Sequence, residues 1–349
     1  MQQRTTISEI AKRLEVSNAT VHRALYGKPG VSPVVASEIR RLAQEMGYCP
    51  KKVSSVMRRK PVRIAAAFPK PAGDNRYFYS QLWEGVREYI EGLKAYPIEL
   101  LEVSYEDAPG RDYTTVVETM LSETGWEIDG MITGGRIFRE GFQRLRKISA
   151  SGIPVALVSE EDLEGSYLSC VRTNGFVDGS LAAELLSSQT SPGDKILICA
   201  GDSRLYSNRS AVNGFEQYIG KYAGDREILK IYGYADRDNL EEKIREALSR
   251  EKNIRALYSV NLRSSLLLAK IVEETGRKGR IWLTGSDLCP ESARYMRKGV
   301  MTSIIDKSPG QQGRVGAKRL TDWLLHSVRP PSAMEYMRSS LILRSNLEQ

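Results

Sequence analysis

Four residues whose types and spacing suit contacts with DNA bases lie near the N-terminus of this 349-residue chain. Asn18, Ala19, His22 and Arg23 fall on one face of a predicted helix, where an arginine can donate two hydrogen bonds to a guanine edge. A small helical bundle whose polar face is merely solvated would have the same spacing. The pattern therefore predicts a base-contacting surface, and the surrounding residues must decide between the two interpretations.

Three short helices are predicted to position this surface. Thr6 and Glu9 form a T-x-x-E capping box at the start of the first helix, and Ser17 can cap a second helix over residues 18–26. Ser32-Pro33 starts a third helix. The apolar residues at helical spacing that form the small core are Ile7, Ile10, Ala11, Leu14, Val21, Ala24, Leu25, Val35, Ile39, Leu42, Ala43 and Met46. Two helices joined by about three residues describe a helix-turn-helix.

After residue 61, β-rich runs alternate with amphipathic segments. The predicted strands are 62–68, 98–105, 130–135, 154–160, 169–174, 195–201, 228–235, 255–261, 280–287 and 301–306. This alternation is typical of parallel sheets covered by helices. Because one such sheet does not comfortably hold ten strands, we expect an α/β core with two lobes.

Polar and aromatic residues follow several of these strands, at the edge where such sheets bind ligands. They are Asn75, Tyr77, Phe78, Arg209, Asn261, Asp287 and Asp306. Together they could bind a polyhydroxylated ring, whose hydroxyls need donors and acceptors and whose apolar face stacks on aromatic rings. Each also has a simpler explanation: Asp287 could cap a helix, Arg209 could be a solvated charge, and Tyr77 and Phe78 could belong to the core.

The positive charge is confined to one end of the chain. Residues 1–63 carry 13 Lys and Arg against 4 Asp and Glu, whereas the remainder is close to neutral. A polyanionic partner is therefore expected for the N-terminal part only.

Other features restrict the class of protein. No apolar run approaches the length of a membrane span, and the first ten residues lack the apolar core of a signal peptide, so we expect a cytoplasmic protein without a membrane partner. The four cysteines are far apart and only two histidines are present, so neither a metal site nor a disulfide framework is expected. No catalytic motif and no cofactor-binding motif is recognisable, which predicts a protein that is not an enzyme.

The segment ISEIAKRLEVSNATVHRALYGKPGVSP, followed by GYCP, resembles the DNA-binding head of the LacI/GalR family of bacterial transcription regulators. Three residues depart from the family pattern. Glu15 stands where a turn glycine is usual, His22 replaces a serine, and Tyr26 replaces an asparagine. The resemblance implies DNA contacts from the head residues Thr6, Ser17, Asn18, Ala19, Thr20, His22 and Arg23.

The basic segment PKKVSSVMRRKPVR resembles the family's hinge, which folds into a short helix on DNA. Met57 would wedge into the minor groove, and Lys51, Lys52 and Arg58 would contact DNA as well. A solvated, disordered tether remains the alternative for such a charged run.

The remaining landmarks, among them VRTNGFVDGSLAAELL, LTGSD and MTSIIDKSPGQQGRVGAKRL, resemble the effector-binding core of the same family, which has the fold of periplasmic sugar-binding proteins. The resemblance implies that Arg209, Asn261 and Asp287 line the effector site. Ser159-Glu160 stands where sugar binders often have Asp-Arg, so Glu160 is expected to change how the effector is bound.

These observations predict a helix-turn-helix head (1–48), a hinge (49–61) and a core (62–349). We expect one lobe to comprise 62–159 and 288–325, and the other 160–287 and 326–349. The resemblance further implies a homodimeric regulator, more commonly a repressor, that binds double-stranded operator DNA and a small effector such as a sugar. A periplasmic-type solute-binding protein for sugar transport would share the core but would not carry a basic head. A sugar-modifying enzyme would need a nucleophile or an acid–base pair.

Overall fold

The computed structural model describes residues 6–25, 29–46, 61–106, 113–125, 127–162, 164–233 and 237–348. The predicted hinge residues Lys51, Lys52, Met57 and Arg58 lie outside these ranges, as does Tyr26.

Three helices form the N-terminal head: α1 (Ile7–Arg13), α2 (Asn18–Leu25) and α3 (Pro33–Glu45). The capping box is present, because the Thr6 hydroxyl accepts from the Glu9 N–H and the Glu9 carboxylate accepts from the Thr6 N–H. The side chains buried between the helices are Ile10, Ala11, Val21, Ala24, Ala36, Ile39 and Ala43. The predicted three-helix arrangement is therefore confirmed for the described residues.

Glu15 lies in the turn between α1 and α2 and has a φ of +53°. This left-handed conformation favours glycine, because a Cβ atom there crowds the following carbonyl. The Ser17 hydroxyl then accepts from the Thr20 N–H at 3.0 Å and caps α2. The turn that sets the angle between the two helices is thus made by a residue under backbone strain.

Among its described residues, the core contains two six-stranded sheets. In the first, the spatial order is β11-β5-β4-β3-β1-β2 and all pairs are parallel. Its strands are β1 (Val62–Pro69), β2 (Ile98–Tyr105), β3 (Gly130–Gly134), β4 (Val155–Val158), β5 (Ser169–Thr173) and β11 (Met334–Met337). The helices that cover its faces are α4 (Arg76–Glu91), α5 (Tyr113–Glu123), α6 (Arg139–Ala150) and α12 (Pro309–His326).

The second sheet has the order β12-β10-β9-β8-β6-β7, with only β12 antiparallel to its neighbour. Its strands are β6 (Lys195–Gly201), β7 (Glu227–Tyr232), β8 (Ile254–Ser259), β9 (Trp282–Ser286), β10 (Ser303–Asp306) and β12 (Ser340–Ile342). The helices on its faces are α7 (Gly175–Gln189), α8 (Tyr206–Tyr222), α9 (Arg237–Arg250), α10 (Leu262–Glu274) and α11 (Pro290–Arg297). The expected α/β class with two lobes is confirmed.

The lobe boundaries predicted from the sequence are wrong. Residues 160–173 end in β5 and residues 326–337 include β11, and both strands belong to the first sheet. Residues 288–306 include β10, which belongs to the second sheet. The chain therefore passes between the lobes at Asn174, at Lys307–Ser308 and at Arg338–Ser339. The cause is strand order: β5 and β11 pair with each other across more than 160 residues of sequence, which periodicity does not reveal.

Candidate functional site

A cleft lies between the two lobes, at the carboxyl ends of strands from both sheets. Such edges are where loops converge and ligands bind in parallel α/β sheets. Its lining is formed by Asn75, Phe78, Tyr79, Gly135, Arg136, Ser159, Glu160, Arg172, Thr173, Gly175, Asp178, Leu205, Ser207, Asn208, Ala211, Val260, Asn261, Leu262, Asp287, Lys307 and Gln312. Aromatic, amide, hydroxyl and charged groups thus face one space.

Glu160 follows β4 and is 5% exposed. Its Oε1 accepts a 2.7 Å hydrogen bond from the hydroxyl of Ser207, which belongs to the other lobe. Burial raises the pKa of Glu160 to about 7, although the Ser207 hydrogen bond and the charge of Arg172 act in the opposite direction. A carboxyl of this kind can donate or accept a hydrogen bond near neutral pH.

Asp287 ends the turn after β9 with a φ of +63° and is 1% exposed. Lys307 Nζ lies 3.3 Å from Asp287 Oδ2 and donates to the Val260 carbonyl at 3.1 Å. Burial raises the pKa of Asp287 to about 6, and the charge of Lys307 limits that rise. Lys307, which lies in one of the three inter-lobe connections, therefore contacts the ends of two strands of the second sheet.

Two arginines complete the charged lining. Arg172, 2% exposed, pairs with Glu161 at 2.8 Å, and its guanidinium carbon lies 4.8 Å from the Tyr206 ring centroid. Arg136, after β3, pairs with Asp202, after β6, at 2.9 Å. The Arg136–Asp202 ion pair joins the lobes directly and has both side chains largely buried, which makes it less screened than a surface pair.

Five of the eight predicted effector-site residues line the cleft: Asn75, Phe78, Glu160, Asn261 and Asp287. Asn261 Oδ1 caps α10 through the Ser264 N–H, and its buried Nδ2 has no hydrogen-bond partner among the described residues. Whether these residues bind an effector stays a prediction.

The other three do not line it. Tyr77 hydroxyl accepts from Arg76 at the first turn of α4. Arg209 is exposed, and its Nη1 donates to the carbonyls of Ser203 and Arg204. Its neighbour Asn208 faces the cleft instead, because adjacent residues of a helix point about 100° apart.

Asp306 also lies outside the cleft. It accepts from the Leu288 N–H at 3.0 Å and from the Ser308 hydroxyl at 2.9 Å, so it stabilises the connections around β10. Asp306 lines a separate surface groove beside α4 and α12.

The sequence reasoning missed several lining residues, above all Arg172, Lys307, Asp178 and Arg136. Arg172 had a recognisable signal: a charged residue inside a strand that is otherwise buried needs a partner or a function. Lys307 directly follows a predicted strand. Asp178 and Arg136 had no comparable signal, because their roles depend on residues distant in sequence.

In the head, Asn18, Ala19, His22 and Arg23 are all exposed, as predicted. Thr6 and Ser17 serve as helix caps, and the Thr20 hydroxyl lies 2.8 Å from the Ser17 hydroxyl. The outer face of α2 is therefore free of the small core and available for contacts.

Comparisons with known proteins agree with the two-lobed α/β fold of the core. Residues 68–324 match the family described as "Periplasmic binding protein domain". The chain belongs to this periplasmic-binding-protein family. Within the described residues, no helix is long and apolar enough to cross a bilayer.

Curated relatives of this periplasmic-binding-protein chain include binding proteins and regulators. It is 23% identical over 159 residues to the D-allose-binding periplasmic protein of Escherichia coli, covering 45% of this chain and 51% of that protein. It is 27% identical over 231 residues to the HTH-type transcriptional regulator GntR of Escherichia coli, covering 66% and 60%. The matched region thus spans half to six-tenths of these two relatives.

Among solved structures, the chain resembles GanP, a glucose-galactose binding protein from Geobacillus stearothermophilus, with a TM-score of 0.72. The two share 18% identity, and the match covers 83% of this chain and all of GanP. At this identity the likeness establishes the fold alone.

Proposed function

We propose that this protein is a sequence-specific DNA-binding transcription regulator, acting as a repressor, whose operator affinity is controlled by a small polar effector. The effector is a sugar or sugar derivative bound in the inter-lobe cleft. The observation that carries this proposal is the combination, in one chain, of a helix-turn-helix with an exposed polar face and a two-lobed core with a polar cleft. The regulator among the relatives, whose match covers two thirds of the chain, supports it.

DNA would be bound by the outer face of α2. Asn18, Ala19 and Arg23 would meet base edges in the major groove, with Thr6, Ser17, Thr20 and His22 at the periphery. The excess positive charge of residues 1–63 supplies a sequence-independent attraction to phosphates. Two heads on a near-palindromic operator require a homodimer, and a DNA-bound regulator works in the cytoplasm.

Control by the effector would act through the contacts between the lobes. Arg136 pairs with Asp202, Ser207 donates to Glu160, and Gln81 Nε2 donates to the Leu288 carbonyl at 3.0 Å. A ligand that touches both lobes stabilises the arrangement in which these contacts form. Because the ligand binds that arrangement of the lobes more tightly than the alternative, it would shift the population towards it and thereby change the spacing of the two heads.

A role as a solute-binding protein for sugar transport is the second candidate, favoured by the fold shared with GanP and by the D-allose-binding relative. That role would give no function to the exposed face of α2 or to the basic N-terminal segment.

Operator selection tests the proposal. Purified full-length protein is used to enrich random DNA duplexes at moderate salt, and binding is then repeated with a panel of sugars. We expect a near-palindromic consensus whose affinity changes with one sugar class. Salt-sensitive binding without any consensus would refute the regulator, and sugar binding without DNA selection would favour the transport role.

A further inference from the structure

The three cations that line the inter-lobe cleft already have carboxylate partners. The pairs are Arg172 Nη1 with Glu161 Oε2 at 2.8 Å, Arg136 Nη2 with Asp202 Oδ2 at 2.9 Å, and Lys307 Nζ with Asp287 Oδ2 at 3.3 Å. A ligand carboxylate or phosphate would place a further anion beside a carboxylate that each of them already neutralises. The cleft is therefore poorly suited to an anionic ligand.

Two carboxyls that line the cleft form no ion pair with the described residues. Asp178 is 2% exposed and accepts hydrogen bonds from the hydroxyls of Thr173 and Ser339, one on each carboxyl oxygen. Both of its oxygens are therefore engaged by the connections between the lobes. The Ser207 hydroxyl donates to Oε1 of Glu160, and the backbone N–H groups of Glu161 and Ser207 also favour the carboxylate, but no side chain among the described residues donates to Oε2. Glu160 is thus the carboxyl in the cleft that has capacity for a ligand.

Burial makes the charged form of Glu160 unfavourable, as its pKa of about 7 indicates. A cation placed against the carboxylate would offset that desolvation, which neutral hydroxyls do only in part. The cleft also contains buried donors without a hydrogen-bond acceptor among the described residues, among them Arg172 Nε, Arg172 Nη1 and Asn261 Nδ2. The site therefore lacks an ion-pair partner for Glu160 and acceptors for these donors.

We propose that the effector is an amino sugar, whose basic amino group binds the Glu160 carboxylate while its hydroxyl oxygens accept from Arg172 and Asn261. This inference rests on the proposed function, because it takes the inter-lobe cleft as the effector site. A neutral sugar would leave Glu160 without an ion-pair partner, and a uronic acid would place a second anion beside it. Aromatic Phe78 at the cleft wall can contact the apolar face of the ring.

Calorimetric titration of the full-length protein at pH 7 tests the inference. The probes are glucosamine, galactosamine and mannosamine, the three parent hexoses, and glucuronic and galacturonic acid. We expect one amino sugar to bind roughly tenfold to a hundredfold more tightly than its parent hexose, as a charge-assisted hydrogen bond in a buried site gives. The uronic acids are expected to bind most weakly.

Glu160→Gln tests which residue is responsible, because it keeps the shape and removes the charge. We expect the preference for the amine over the parent hexose to fall to about twofold or less. Glu164→Gln, the same substitution at a side chain that is 77% exposed, serves as the control and is expected to keep the preference. If Glu160→Gln does not fold, the comparison of amino sugar with parent hexose on the unmodified protein still tests whether the effector is an amino sugar.

Failure of the inference and failure of the proposed function give different results. A parent hexose that binds as tightly as its amino sugar, or a uronic acid that binds better, overturns the amino-sugar inference and leaves the regulator proposal intact. A preference that survives Glu160→Gln overturns the role of Glu160. Absence of binding by every probe overturns both the inference and the sugar effector, whereas loss of operator selection alone affects only the regulator.

Discussion

Replacing Glu160 with glutamine should change how the stability of the unliganded protein depends on pH. The pKa of this carboxyl is raised by burial from 4.5 to about 7 in the folded protein. Since the neutral form is the one that folding favours, the contribution of Glu160 to stability is greatest below pH 4.5 and is lost as the pH rises towards 7. At 1.36 kcal/mol per pKa unit, the full loss is roughly 3 kcal/mol.

Glutamine stays neutral at every pH, so it avoids this loss. We expect the free energy of unfolding of Glu160→Gln, relative to the unmodified protein, to increase by roughly 2 to 3 kcal/mol between pH 5 and pH 8. The measurement is urea denaturation of both proteins at a series of pH values, with Glu164→Gln as the exposed control. A stability difference that does not vary with pH would refute the assignment of a raised pKa to Glu160. A decrease with rising pH would show that Glu160 is stabilised as a carboxylate.

Three further predictions concern the head and the helix packing. Glu15→Gly is expected to stabilise the head by about 1 kcal/mol, because glycine adopts the φ of +53° without strain. Hydrogen exchange of the buried α2 amides in the full-length protein should then slow about fivefold. Unchanged exchange would contradict the proposed backbone strain at Glu15. Gly214→Ala is expected to destabilise the core by about 1 to 3 kcal/mol in urea denaturation, since a Cβ at Gly214 would lie 1.9 Å from the Phe176 carbonyl oxygen in α7. Gly220→Ala in the same helix is the control, because a Cβ there meets nothing within 4 Å and alanine favours a helix. Equal destabilisation by both substitutions would argue against the close approach of α7 and α8. Arg23→Ala is expected to weaken binding to the selected operator by about 1 to 3 kcal/mol and to relax specificity at one base pair, whereas an equal loss on every sequence would indicate a phosphate contact.

The elements of this protein were largely predictable because they depend on local patterns. Each of the ten predicted strands overlaps an observed strand. The capping box at Thr6 was also readable because it involves neighbouring residues, whereas the turn at Glu15 was indicated by the resemblance to the family pattern. In contrast, α4 begins at Arg76, so Tyr77 and Phe78, which were predicted to follow a strand, lie within a helix.

The candidate site was only partly predictable. Residues at strand ends, such as Asn261 and Asp287, could be found because parallel strands gather their carboxyl ends at one edge. Arg209 was placed one residue away from the side chain that faces the cleft, Asn208, because a helix turns by about 100° per residue and the sequence does not give its rotation.

The sequence by itself determined the α/β class, the three-helix head, the uneven charge and the region of the chain in which the cleft lies, because each follows from local periodicity, capping or composition. Only the tertiary structure decided which strands share a sheet, and with that the three crossings between lobes that overturned the predicted boundaries. It also decided which charges are paired. Arg136 and Asp202 are 66 residues apart and belong to different lobes, yet they lie 2.9 Å from each other, while Glu160 is buried and forms no ion pair with the described residues. Charge pairing in a buried cleft depends on distances in space, and those are set by the packing of both lobes together.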